Sequence, residues 1–111
     1  KDYYGDDAEV VFSTFDDLSE RARVATIMPA DYVNVLSSHV QVADVTILQG
    51  DWVIGMGCLP HQCDTARGVW GVRISDGAVG AAILGNSNYA EFFGLAESDP
   101  ILRAAIEAHR P

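Results

Sequence analysis

Hydrophobic residues change their spacing along this chain, and the changes divide it into elements. Ala8, Val11, Phe12, Phe15 and Leu18 follow Asp6 and Asp7 at helical spacing, which predicts an amphipathic helix from about Asp6 to Glu20 with negative charge in its first turn. Arg21 to Ser38 is less periodic. Pro29 permits a short helical turn through Tyr32 and Val33 there, and the segment reads as a connector. From Val40 the period becomes two: Ala43, Val45 and Ile47 alternate with Asp44 and Thr46, and Gln49-Gly50 turns the chain into a strand with Trp52, Ile54, Met56 and Cys58 on one face. The other face, Val53, Gly55 and Gly57, carries so few side-chain atoms that it predicts close approach by another element, or a bulge.

After Cys63, Asp64 to Arg67 leads into Trp70, Val72 and Ile74, and Asp76-Gly77 predicts a hairpin turn before Val79, Ala81 and Ile83. Gly85-Asn86-Ser87-Asn88 breaks the pattern. Tyr89 to Leu95 suits a fifth strand or a buried helical turn, because Phe92 and Phe93 are adjacent, and the strand is favoured. Asp99-Pro100 supplies an N-cap followed by proline at the first helical position, and Ile101, Leu102, Ala105 and Ile106 supply the buried side of a closing helix. The expected class is α+β, an antiparallel sheet of about five strands packed with flanking helices, in a single domain over residues 1–111.

Charge narrows the partners. Sixteen acidic and seven basic residues leave a net charge of −9, which repels nucleic acid and anionic membranes and steers cationic partners inward. No apolar run is long enough to span a bilayer. Lys1 to Gly5 holds no apolar targeting core, so the sequence is expected to be a processed periplasmic or secreted form whose signal peptide is absent.

Both cysteines lie in Cys58-Leu59-Pro60-His61-Gln62-Cys63. A lone pair at this spacing is most simply a structural disulfide, which implies an oxidising compartment. The ring closes if the chain reverses inside it, with Leu59, Pro60 and His61 as successive turn residues and His61 at the tip. Two other readings stand beside this one. Cys58, His61 and Cys63 could share a metal, although a fourth ligand is lacking nearby; or a cysteine could serve as nucleophile with His61 as base. A carboxylate pair among Asp16, Asp17 and Glu91 has nothing in the sequence to set its geometry. His39 and His109 need no ligand role, and Trp52 and Trp70 are in phase with apolar neighbours. Neither an enzyme nor a cofactor is expected.

The six-residue stretch resembles the Cys-Lys-Pro-His-Asp-Cys loop of the Ivy family, the inhibitors of vertebrate-type lysozyme. The family's loop also follows a strand ending in small residues and leads into one containing Trp, as Gly55-Met56-Gly57 and Val69-Trp70 do here. The resemblance implies an Ivy-like sandwich in the Gram-negative periplasm. It implies a loop of Leu59, Pro60, His61 and Gln62, closed by Cys58 and Cys63, that enters the cleft of a c-type lysozyme, where His61 meets the catalytic carboxylates. It also admits a homodimer. Leu59 stands where the family has Lys and Gln62 where it has Asp, so a second reading is an Ivy-fold paralogue with weak or no lysozyme inhibition. That paralogue would bind another envelope partner such as a lytic transglycosylase. Alkylation of the native protein separates the disulfide from the catalytic-cysteine reading: a disulfide leaves no thiol to modify, and a catalytic cysteine does.

Overall fold

The computed structural model describes residues 22–111, with the side chains of residues 43–45 set aside. The helix expected over Asp6 to Glu20 lies outside the described residues. Helix α1 (Ala30–His39) is followed by strands β1 (Val42–Gln49), β2 (Trp52–Cys58), β3 (Ala66–Arg73), β4 (Val79–Gly85) and β5 (Ala90–Gly94), and then by helix α2 (Pro100–Ala108). The five strands form one antiparallel meander in sequence order.

Two expectations are corrected. Arg21 to Ser38 is not a connector throughout, because α1 runs for ten residues directly after Pro29. Pro29 occupies the N-cap position, where a missing N–H is harmless, and Val33 and Leu36 supply a buried side too short to register as a period. His39 is thus the last residue of a helix. In α2, Leu102 and Ile106 are buried as expected, but Ile101 is on the exposed side. The cap itself is as predicted: the Asp99 carboxylate accepts from the backbone N–H of Ile101 and Leu102, with Pro100 in the first turn.

Both faces of the sheet are buried, each under one helix. Val33, Leu36 and Val40 pack with Val24 and Met28 against Val53, Trp70, Val72, Ala81 and Ile83. On the opposite face Leu102 and Ile106 pack against Trp52, Ile54, Val69, Ala82 and Leu84. Burying each such Leu or Ile side chain contributes about 1.5–3 kcal/mol. The adjacent aromatics of β5 divide between these cores, Phe93 to the first and Phe92 to the second. That division makes the segment a strand, since successive side chains point to opposite faces.

The glycines of β2 mark close approach. A Cβ on Gly55 would lie 2.2 Å from Cε2 of the Trp70 indole, and one on Gly57 would lie 2.7 Å from the Val42 carbonyl oxygen. A register shift between Ala43 and Val45 in the neighbouring strand interrupts the alternation expected for β1. The first turn is Gly50-Asp51 rather than Gln49-Gly50, because Gln49 still pairs with Trp52; Gly50 takes φ +59°.

Trp70 is buried and cannot move aside without opening the core. Gly55→Ala is therefore expected to destabilise the fold by about 1–3 kcal/mol, measured as a shift of the urea midpoint with an unchanged slope.

Candidate functional site

The β2–β3 connection carries the candidate site. Its base is fixed by the last pair of the ladder, Cys58 opposite Arg67. A disulfide joins Cys58 and Cys63 across a Cα separation of 4.9 Å, within the roughly 4.4–6.8 Å that the bond requires. Neither sulfur remains free, which removes the thiol nucleophile. Among the described residues, no group of three or more His, Cys, Asp and Glu is placed to hold a metal.

Inside the ring the Gln62 N–H donates to the Leu59 carbonyl at 2.9 Å, which makes Leu59 to Gln62 a β-turn. His61 has φ +65°. With proline before it, this is a type II turn whose third residue would ordinarily be glycine. An L-residue held left-handed costs about 1–2 kcal/mol, and here that conformation turns the exposed imidazole outward at the tip. Pro60 supplies the compatible φ at the second position.

The loop is also tied down without the disulfide. Leu59 N–H donates to the Ala66 carbonyl, and the Gln62 carbonyl accepts from the N–H of Thr65 and Ala66, at 2.8–3.0 Å. The Arg67 guanidinium donates through Nε to the Cys63 carbonyl at 2.7 Å and through Nη1 to the His109 carbonyl at 3.3 Å. His109 is buried, and its Nε2–H donates to the Gly57 carbonyl at 3.1 Å. The end of α2 thus clamps the last turn of β2 and, through Arg67, the far side of the ring.

The predicted turn residues come together in the predicted order. Leu59 and Pro60 are half-buried beside the exposed His61 and Gln62. Sequence reasoning missed Arg67 and His109. The signal for His109 was present: it continues the spacing of Leu102 and Ile106 along one helical stripe and so belongs to the buried side. Arg67 could be singled out only as a cation near the start of a strand whose other polar residue, Arg73, closes its far end. Among the other candidates, the Glu91 carboxylate is engaged by the Tyr89 hydroxyl, His39 bonds its own helix at the Val35 carbonyl, and Asp16 and Asp17 lie outside the described residues.

The family model described as inhibitor of vertebrate lysozyme (Ivy) matches residues 20–95, well over half of the chain. The chain belongs to the Ivy family. The matched span holds α1, all five strands and the disulfide loop; the α2 clamp lies beyond it. No curated protein and no solved structure matches the chain. Members of the Ivy family are inhibitors rather than enzymes. Both departures from the family loop, Leu59 and Gln62, sit where main-chain atoms do the ordering, so this turn keeps its shape without the family's Asp. No helix among the described residues is long and apolar enough to cross a membrane.

At the end of α2, Glu107 is bonded by Arg110 at 2.6 Å and by Arg103 at 2.8 Å. These guanidinium bonds, that of Arg110 foremost, hold the Glu107 carboxyl down to about 2 from its usual 4.5. A lowered carboxyl pKa stabilises the fold above the unfolded value and loses that contribution as pH falls toward the folded one. Thermal scans between pH 5 and pH 2 are therefore expected to show a loss of stability that is smaller in Glu107→Gln, with a small difference because the pair is exposed.

Proposed function

We propose that this protein inhibits a c-type lysozyme by inserting the Cys58–Cys63 loop, His61 foremost, into the active-site cleft. The observation that carries this reading is the left-handed His61 at the tip of a ring closed by both a disulfide and hydrogen bonds. Strain held at one exposed residue marks a position kept for its side chain rather than for its backbone. A retaining glycosidase holds its two carboxyl groups about 5–5.5 Å apart. An imidazolium donates from both ring nitrogens and so bridges such a pair, which in turn favours the protonated ring. Because the loop is ordered beforehand, little conformational freedom is lost on binding. A net charge of −9 speeds encounter with a basic enzyme.

Leu59 takes an apolar contact at the cleft wall where the family's Lys would place a charge, and Pro60 keeps the turn rigid. Gln62 contributes a neutral amide beside the imidazole. The disulfide and the Ivy relationship support a periplasmic or secreted location. The departures at Leu59 and Gln62 favour one other partner, an endogenous peptidoglycan-cleaving enzyme such as a lytic transglycosylase, whose cleft presents a catalytic carboxyl to the same loop.

In a turbidity assay of lysozyme on bacterial cell walls, the wild-type protein is expected to inhibit with a nanomolar to micromolar Kd. His61→Ala should weaken it by about 30-fold or more, the effect of losing a hot-spot contact of ~2 kcal/mol. Lysozyme that stays fully active in excess protein would overturn the lysozyme reading, and loss of lytic transglycosylase activity under the same conditions would establish the second partner.

A further inference from the structure

The sheet end that carries the disulfide loop carries a second rigid tip. In an antiparallel meander the β2–β3 and β4–β5 connections leave the sheet at the same end, two strand spacings or about 10 Å apart. The β4–β5 connection is a tight hairpin: the Tyr89 N–H donates to the Asn86 carbonyl at 3.0 Å, and the Gly85 N–H donates to the Tyr89 carbonyl at 2.9 Å. Ser87 and Asn88 both have positive φ, +59° and +65°, as a type I′ turn requires. Glycine is the least strained residue at such positions, yet this turn presents two polar side chains there.

The hairpin is held as the disulfide loop is held, through the end of α2. Arg110 donates through Nη1 to the Asn88 carbonyl at 3.3 Å, while Glu107 holds the same guanidinium. One residue earlier, the His109 carbonyl accepts from Arg67, which grips the disulfide ring. Asn86, Ser87 and Asn88 are exposed, and Tyr89 is 49% exposed. Its hydroxyl hydrogen is committed to Glu91, whose carboxylate pushes the Tyr89 phenol up to about 12; like any tyrosine it is neutral at physiological pH.

We infer that the Asn86–Tyr89 hairpin is a second contact element, which occupies a sugar-binding position of the same enzyme cleft beside the one that His61 enters. The inference rests on the lysozyme reading and extends it. A cleft built for a polysaccharide runs past the bond it cleaves and recognises neutral, polar units. It hydrogen-bonds their hydroxyl and amide groups and stacks their flat faces on aromatic rings. Two asparagine amides, a serine hydroxyl and the ring of a half-exposed tyrosine offer the same uncharged donors and acceptors and a comparable flat face.

The test uses the whole chain and a c-type lysozyme. The double variant Ser87→Gly, Asn88→Gly keeps the left-handed turn and removes both side chains. It is expected to keep its thermal midpoint while the Kd for lysozyme rises about tenfold. In the wild-type complex the backbone amides of residues 86–89 should exchange more slowly than in the free protein. An unchanged Kd together with unchanged exchange at 86–89, while His61→Ala still weakens binding about 30-fold or more, would overturn the second contact and leave the His61 reading standing. A wild-type protein that does not bind lysozyme at all would overturn both.

Discussion

The pairing of β2 with β3 is the constraint on which the site depends. The ladder runs without interruption from Trp52 opposite Arg73 to Cys58 opposite Arg67, so the chain leaves a rigid base and must reverse within the residues between. Cys58 is buried in that base and Cys63 is exposed on the returning limb. The disulfide therefore fastens the exposed returning limb to the buried strand end. For so small a ring the loss of chain entropy in the unfolded state is worth about 2 kcal/mol, and a typical intramolecular hydrogen bond adds about 0.5–1.5 kcal/mol. The bonds from Leu59, Gln62 and Arg67 are thus comparable to the disulfide in holding the loop, and together they sustain a left-handed residue at its tip.

The same economy appears in the scaffold. A sheet covered on both faces has to accept helices and large side chains at short range, and β2 does so by replacing side chains with glycine beneath Trp70 and beside the β1 backbone. The resulting core leaves the sheet little freedom to deform. Variation is free only at the ends, where loops meet solvent. One end is occupied by the disulfide loop, the β4–β5 hairpin and the last turn of α2, and Arg67, His109 and Arg110 bind these three segments into one surface.

For an inhibitor this arrangement separates two tasks. Affinity needs a tip that arrives already ordered, because freezing a flexible loop opposes binding; encounter needs only charge of the right sign spread over the molecule. The ring and its clamps answer the first requirement and the excess of acidic residues the second. Membership of the Ivy family supplies the class of partner, and under the function proposed above the turn geometry is what would carry His61 to an enzyme's carboxylates.

Much of this was readable from the residues alone. Alternation of apolar positions, Asp76-Gly77, and the Asp99-Pro100 cap depend on neighbours in sequence, and each produced the element expected of it; so did the turn within Cys58 to Cys63, whose proline and short span leave the chain few conformations. What escaped the sequence was set by contacts between distant segments. Helix α1 exists because Val33 and Leu36 meet the sheet, not because of a strong period of its own. The two phenylalanines of β5 make sense only once there are two cores to receive them. Arg67 and His109 lie 42 residues apart, and no local pattern could join them. Local propensity determined the strands, the cap and the tip that carries His61, while the choice of what would hold that tip still was made by tertiary structure, because a buried donor takes whichever carbonyl the fold brings within 3 Å or so.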